Sequence, residues 1–301
     1  MRILFMGTPE FAVPSLKRLA ADKHDICCVV TGVDKPAGRG MKFRPSPVKI
    51  CAGEMGLGLY QPESLKNQDA ARYIASMEPE AIVVVAYGKL LPESILTLPP
   101  RGCINIHGSL LPAYRGAAPV QWAVLNGDPV TGVTSMYMAK KLDAGDVIDS
   151  IQTPVGPDEN AEELYSRLAL LGAELLSRTL KSVQEGTVRP VKQDESRVTY
   201  APPLTRGMAE LDFREPAQSV YNKIRGLRPW PVARARINGK TFKIFGARIL
   251  DPDGAEPGTI LGSDGEGIYI ACAGGTILIT ELQAEGSKRM SAADYLRGHE
   301  L

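Results

Sequence analysis

The chain has 301 residues, of which 44% are hydrophobic and 23% charged, and a formal net charge of +1. These are values of globular proteins, so they exclude a disordered chain, and the length suits two domains or one large one. No apolar run approaches a membrane span, and five cysteines without metal-type spacing indicate free thiols in a reducing compartment. We therefore expect a cytoplasmic protein with no membrane association.

The first elements predict the start of a βαβ unit. Residues 2–7 form an apolar run that ends in glycine, and the helical pattern that follows Pro9 indicates a helix capped by Thr8. Gly7 lacks the further glycines of a dinucleotide-binding fingerprint, which argues against a nicotinamide-dependent oxidoreductase. Residues 26–31 predict a second buried strand.

A basic segment follows the second strand. Residues 35–49 carry five basic side chains and no acidic one, and Gly38 and Gly40 give the segment freedom to move. A mobile basic segment beside a strand end suits contact with a phosphate backbone, which Arg39 and Lys42 would make. A solvated surface loop is the alternative, because most runs of charge have no other role.

Two unbroken apolar strands predict a parallel sheet covered by helices. Residues 81–86 show no polar alternation, and residues 103–106 give the next strand, which ends at His107. Asn105 lies two residues before His107, so both side chains point to the same side of the strand. An amide donor and a group that titrates near neutral pH, at a carboxyl strand end, suit a site that builds a tetrahedral oxyanion. A satisfied core histidine and a turn-capping asparagine are the alternative.

Further elements complete this half of the chain. A capping box of Asn160 and Glu163 opens a helix that stops at Gly186. Before it, the pattern predicts a helix over 119–125, a strand over 132–138, a loop over 139–145 and a strand over 146–153.

The composition changes after the long helix. Residues 193–206 are polar and contain prolines, which suits a linker. Beyond it we predict a helix over 217–226 and about five strands, with Asn238 and Gly239 forming a hairpin turn, and a small β-barrel would close them. Residues 206–248 include ten basic and three acidic side chains, a difference of seven that polarises this domain.

Seven motifs are spread along the whole chain: residues 1–16, Asn105 to Pro112, 142–146, 193–196, 200–202, 288–291 and 296–299. Together they resemble those of the methionyl-tRNA formyltransferase family, and their combination is far more specific than any one alone. The resemblance implies an α/β fold: a catalytic domain with a Rossmann-like, mostly parallel sheet over 1–189, a linker over 190–206, and an OB-like β-barrel for tRNA over 207–301.

The same resemblance implies transfer of the formyl group of 10-formyltetrahydrofolate to the amine of methionine on initiator tRNA. Asn105 would donate to the formyl oxygen, His107 would stabilise charge or move a proton, and Asp143 would orient His107. No metal is implied, and we expect a monomer. Tyr87, Ser109, Leu110, Leu111 and Pro112 would line the folate pocket. The tRNA contacts would be Arg39, Lys42, Lys240 and Lys243.

The chain departs from the family pattern at two places, and three other functions are the alternatives. Pro203 replaces a basic linker residue, and Phe245-Gly246 replaces an aromatic-rich barrel segment. A nucleotide-sugar formyltransferase would not need the basic segment 35–49, and a glycinamide ribonucleotide formyltransferase would need no barrel. A non-catalytic RNA-binding protein would not need Asn105, His107 and Asp143 together.

Overall fold

The computed structural model describes residues 1–37 and 42–300. Arg39 lies outside the described residues, and only the backbone of Lys42 is described, so their contact with tRNA stays a prediction. The chain forms two compact units, which are described separately below. Unit 1 comprises Met1–Pro119, Thr131–Pro154 and Tyr165–Ala201, and unit 2 comprises Val120–Val130, Val155–Leu164 and Pro202–Leu301.

Helices and strands alternate through the first two thirds of the chain. The strands are β1 (Arg2–Gly7), β2 (Asp25–Val30), β3 (Lys35–Ala37), β4 (Lys42–Arg44), β5 (Leu59–Tyr60), β6 (Ala81–Val85), β7 (Cys103–His107), β8 (Arg115–Gly116), β9 (Val130–Tyr137), β10 (Val147–Pro154) and β11 (Tyr200–Ala201). The helices are α1 (Val13–Ala21), α2 (Pro47–Glu54), α3 (Gln68–Ser76), α4 (Glu93–Leu96), α5 (Pro119–Leu125) and α6 (Ala161–Glu185).

A seven-stranded sheet forms the centre of unit 1, in the order β10-β9-β7-β6-β1-β2-β5. The five strands from β7 to β5 pair in parallel, and β9 joins β7 in the antiparallel sense. Every residue of β6 and β7 is buried, because a parallel sheet of this kind is covered on both faces. The predicted Rossmann-like, mostly parallel sheet is confirmed.

Strand β7 sets the position of the two residues that the sequence singled out. Asn105 pairs with Val84 of β6 on one side and Met136 of β9 on the other, and His107 pairs with Thr134 of β9. The chain leaves the sheet directly after His107, so this residue stands at the carboxyl end of the strand, where open α/β sheets bind ligands.

Unit 2 contains a six-stranded antiparallel half-barrel in the order β12-β13-β16-β15-β14, with β17 paired to β16. Asn238 and Gly239 adopt φ values of 46° and 80° and form the predicted hairpin turn. Helix α7 packs its buried Val220 and Ile224 into the same core cluster as the strands. The elements are β12 (Ala233–Ile237), β13 (Lys240–Leu250), β14 (Ile260–Ser263), β15 (Ile268–Cys272), β16 (Gly275–Ala284), β17 (Met290–Ser291), α7 (Ala217–Gly226) and α8 (Ala292–Leu296).

Two local predictions are wrong. Thr8 does not cap the first helix, because its hydroxyl donates to the carbonyl of Tyr87, 3.2 Å away, and so fixes β1 to the segment after β6. The segment 35–49 is not a loop throughout: β3 and β4 pair in the antiparallel sense, and α2 begins at Pro47. The capping box is confirmed, since Asn160 Oδ1 accepts from the Glu163 amide and Glu163 Oε2 accepts from the Asn160 amide.

Candidate active site

His107 is 6% exposed, and one ring nitrogen is already engaged. Its Nε2 lies 2.9 Å from the carbonyl oxygen of Tyr114. A carbonyl can only accept, so Nε2 carries the hydrogen and donates it. Nδ1 is then the ring nitrogen left to take up a proton, and the Tyr114 carbonyl fixes both the tautomer and the ring orientation.

Asp143 lies beside that free nitrogen. Its Oδ2 is 3.8 Å from His107 Nδ1 and accepts a hydrogen bond of 2.9 Å from the backbone amide of Gly116. Gly116, on the short strand β8, therefore holds the Asp143 carboxylate. The carboxylate faces the imidazole at ion-pair distance. Asp143 adopts φ +47°, a left-handed conformation that aspartate tolerates better than most residues.

Two glycines allow this close packing of loops. A Cβ on Gly145 would lie 1.7 Å from the carbonyl oxygen of Tyr137, and a Cβ on Gly116 would lie 2.6 Å from that of Ala201. Gly116 also adopts φ +129°, which side chains rarely accept. The acidic loop therefore needs glycine two residues after Asp143, as its motif has.

Asn105 is 8% exposed on the same strand as His107. Among the residues that the structure describes, none makes a hydrogen bond to its side-chain amide, and the amide atoms are not cut off from solvent. Asn105 and His107 alternate with buried Ile104 and Ile106, so both side chains project from one face of β7. The structure thus brings an amide, an imidazole and a carboxylate to one strand end.

The loop after β7 is fixed from the neighbouring strand. Thr134 donates its hydroxyl to the carbonyl of Ser109, 2.7 Å away, and accepts from the amide of Leu111 at 3.1 Å. Ser109 donates to the carbonyl of Ala113 at 2.6 Å, and Leu110, Leu111 and Pro112 are half-buried. The four residues predicted to line a folate pocket therefore form one rigid turn beside His107.

Tyr87 lies deeper than the sequence suggested. Its ring is 4% exposed and belongs to a core cluster with Leu91 and Ile95. Burial raises the pKa of Tyr87 to about 12, so the hydroxyl stays protonated, and it has no partner among the described residues. An unpaired buried hydroxyl is a donor that a bound molecule can use.

Several residues that shape this centre could not be identified from the sequence. Backbone groups of Tyr114 and Gly116 hold His107 and Asp143, and backbone contacts leave no side-chain signal. Arg115 is 1% exposed, and its guanidinium is held by Gln193 and Glu195. Hydrogen bonds from Arg115 and Lys141 lower the pKa of Glu195 to about 2.

The residues predicted to bind tRNA in unit 2 do not share one face. Lys240 and Lys243 have opposite parity on β13, so their side chains leave opposite sides of the strand. Lys243 pairs directly with Arg234 on β12, and exposed Arg236 lies on the same face. Lys240 instead donates to the carbonyl of Glu300, 2.8 Å away.

Phe245, where the chain departs from the aromatic-rich barrel segment of the family, lies under an arginine side chain. The guanidinium of Arg289 lies 4.5 Å from the centre of the Phe245 ring and covers it, whereas Trp230 is 51% exposed. Trp230, rather than Phe245, is thus the ring that remains available for stacking.

The described residues show neither a metal-binding cluster nor a membrane-spanning helix. Across 1–37 and 42–300, no group of three or more His, Cys, Asp and Glu side chains is placed to hold a metal ion. No helix in that part of the chain combines the length and apolarity needed to cross a bilayer.

Comparison with known proteins covers the whole chain. A formyl transferase family model matches residues 1–180, and a model of the formyl transferase C-terminal domain matches residues 203–300. The methionyl-tRNA formyltransferase of Caldanaerobacter subterraneus is 48% identical over 100% of this chain and 98% of its own length. The enzyme of that name from Geobacter metallireducens is 44% identical over 100% of this chain and 96% of its own.

Solved structures share the fold at lower identity. A sugar 3N-formyl transferase, WlaRD, matches with a TM-score of 0.70 at 17% identity, over 96% of this chain and 99% of its own. HypX from Aquifex aeolicus in complex with tetrahydrofolic acid matches with a TM-score of 0.65 at 19% identity, over 98% of this chain and 47% of its own. The present chain thus spans about half the length of HypX.

Proposed function

The chain belongs to the methionyl-tRNA formyltransferase family, and we propose that it transfers the formyl group of 10-formyltetrahydrofolate to the amine of methionine on initiator tRNA. The observation that supports this proposal is the position of Asn105 on the same strand face as His107, with Asp143 3.8 Å from the ring. The product would be N-formylmethionyl-tRNA, which serves translation initiation.

The reaction needs one bond made, one broken and one proton moved. The methionine amine attacks the formyl carbon, a new C–N bond forms, and the bond from that carbon to the folate nitrogen breaks. Negative charge develops on the formyl oxygen between these events, and a donor aimed at that oxygen lowers the barrier. The amide of Asn105 supplies such a donor without giving up an existing bond.

His107 transfers the proton from the attacking amine to the folate nitrogen. Since Nε2–H is committed to the Tyr114 carbonyl, Nδ1 accepts the proton that the attacking amine loses, directly or through a water. Asp143, 3.8 Å away, stabilises the ring while it is charged. The same proton then passes to the departing folate nitrogen, which leaves His107 neutral for the next turnover.

The folate substrate would bind against the turn that follows β7. Ser109, Leu110, Leu111 and Pro112 offer a rigid, half-buried surface, and the Tyr87 hydroxyl offers a buried donor. We propose that these residues hold the formyl donor next to Asn105. The formyl donor is a co-substrate of the reaction.

Unit 2 would contact the tRNA body. Cross-strand neighbours Arg234 and Lys243, with exposed Arg236, give a basic face on β12 and β13 that suits phosphate contact. We propose a catalytic domain over 1–189, a linker over 190–206 and a tRNA-binding domain over 207–301. The five free cysteines suit the cytoplasm, where we place the enzyme as a monomer.

One assay tests the proposal. Formyl transfer from labelled 10-formyltetrahydrofolate is measured with charged initiator tRNA, free methionine and an amino nucleotide sugar as acceptors. We expect rapid transfer to the charged tRNA alone. Transfer to the nucleotide sugar instead would favour the activity named for WlaRD, whose fold covers 96% of this chain. Transfer to none of them would refute formyl transfer to these amines.

A further inference from the structure

The segment from Gln193 to Ala201, which the sequence predicts as a linker, is bonded to the loop after β7. Thr199 accepts from the amide of Tyr114 with its hydroxyl, at 2.9 Å, and from the amide of Arg115 with its carbonyl, at 2.9 Å. The short strand β11 pairs in parallel with β8, next to the loop that holds Asp143. This segment therefore belongs structurally to unit 1 and lies beyond residue 180, where the family model of the catalytic half ends.

Gln193 joins two parts of the centre through a single amide. Its Nε2 donates to the carbonyl of Asp143 at 2.9 Å and to that of Gly145 at 2.7 Å. Its Oε1 accepts from Nε and Nη2 of Arg115 at 3.1 and 2.8 Å. Only a primary amide offers two donors and an acceptor at one position, so neither a carboxylate nor an ammonium group reproduces these bonds.

Arg115 supplies the fixed point behind Gln193. Its guanidinium is fully buried, and Glu195, whose side chain is 60% exposed, is its carboxylate partner at 2.8 Å. Removing a partner from a buried charge strongly destabilises the folded protein. The contacts of Arg115 with Gln193 and Glu195 are therefore strongly favoured in the folded state. Nη1 of Arg115 has no partner among the described residues, and the contacts through Nε and Nη2 therefore fix the group.

We propose that Gln193 is a positioning residue for formyl transfer: it ties the backbone of Asp143 to Arg115 and so keeps the carboxylate opposite His107. This inference rests on the proposed function, since it takes His107 and Asp143 as the reacting centre. Gln193 does not touch the reacting atoms. It acts through the backbone carbonyls of Asp143 and Gly145. Within the described residues, the Asp143 carboxylate accepts one hydrogen bond, from the amide of Gly116.

The test uses the full-length protein and the variants Gln193→Ala and Gln193→Glu. Glutamate keeps the size of the side chain and its acceptor for Arg115 but loses both donors to the loop. We expect kcat to fall by about 10- to 100-fold in both variants, the cost of a slightly displaced catalytic group. KM for either substrate should change by less than about threefold. Gln68→Ala, at an exposed glutamine of α3, is the matched control.

The pH–rate profile separates positioning from a loss of folding. The charged groups around His107 are Asp143 and, behind it, Arg115, Glu195 and Lys141. Moving the Asp143 carboxylate changes the charge that faces the imidazole, so the pH–rate profile should shift in both variants. In an Asp143→Asn background, Gln193→Ala should cost less than about threefold in kcat, because the two act on one step.

Three results would refute the positioning role of Gln193. If Gln193→Glu keeps the parent kcat and pH–rate profile, or if the losses in kcat multiply in the double variant, the positioning role is refuted. A fall in kcat that only follows the folded fraction, measured by thermal melting, refutes it too. These ratios are taken on whichever amine the parent enzyme formylates, so failure of the acceptor assignment stays distinguishable from failure of this inference.

Discussion

The Nδ1 atom of His107 lies 3.8 Å from Oδ2 of Asp143, within reach of an ion pair and beyond that of a hydrogen bond. The hydrogen bond that orients the ring comes instead from the ring's other nitrogen to the Tyr114 carbonyl. Orientation and charge stabilisation are therefore divided between a backbone group and a carboxylate. Asp143 acts mainly on the charged state of the ring, and its removal should show in the pH dependence.

The first prediction concerns the pair on β7. Asn105→Ala removes the donor to the developing oxyanion, and His107→Ala removes the proton acceptor. Each should lower the transfer rate by about ten- to ten-thousand-fold, while affinity for the folate substrate, measured by direct titration, changes much less. Near-parent turnover in both variants would rule out this centre.

The second prediction concerns charge at Asp143. Asp143→Asn keeps an acceptor for the Gly116 amide and removes the negative charge beside His107. The rate should fall and the pH–rate profile should shift, because the negative charge beside the ring is removed. Rates are compared across pH with those of Asp69→Asn, whose side chain is 84% exposed. Identical profiles for both variants would leave Asp143 with a turn-forming role only.

The third prediction concerns the unpaired hydroxyl of Tyr87. A buried hydroxyl without a partner costs about 1–3 kcal/mol, so Tyr87→Phe should leave the free energy of unfolding unchanged or increased. KM for the formyl donor should rise if bound folate uses this hydroxyl. Tyr221→Phe is the contrasting variant, since it loses a 2.6 Å bond to Asp158 and should be less stable. An unchanged KM in Tyr87→Phe would remove Tyr87 from the folate pocket.

The fourth prediction compares two lysines on opposite faces of β13. Lys243→Ala weakens the basic face shared with Arg234, so the slope of log kcat/KM against log salt should flatten by roughly 0.9 for a lost duplex phosphate contact. Lys240→Ala should flatten the slope less, because Lys240 lies on the other side of the strand. A larger effect at Lys240 would place the tRNA on the opposite face.

The fifth prediction rests on sequence alone. Arg39→Ala should weaken the use of charged tRNA and leave the affinity for folate nearly intact, because the basic segment is expected to contact the phosphate backbone. Transfer efficiency is measured over a range of salt concentrations. Parent-like efficiency and salt slope would make the segment a solvated connection.

Local patterns in the sequence predicted much of this centre. The period of two along a strand placed Asn105 and His107 on one face, and the apolar runs identified the parallel sheet. The partners of His107 and Asp143 escaped prediction because they are backbone groups brought close by tertiary structure. Thr8 was assigned to a helix cap for the same reason: its hydroxyl is used 79 residues away, at the Tyr87 carbonyl.

The bond between Arg115 and Gln193 joins residues 78 positions apart, and this separation has a consequence for the enzyme's synthesis. A ribosome has made β7 and its histidine long before it reaches Gln193 and β11. Until then Arg115 lacks its amide partner and the Asp143 loop lacks its anchor. We therefore expect a nascent chain to reach the full rate of transfer only after residues 193–201 have emerged and docked, which makes maturation of the active site a late event in folding.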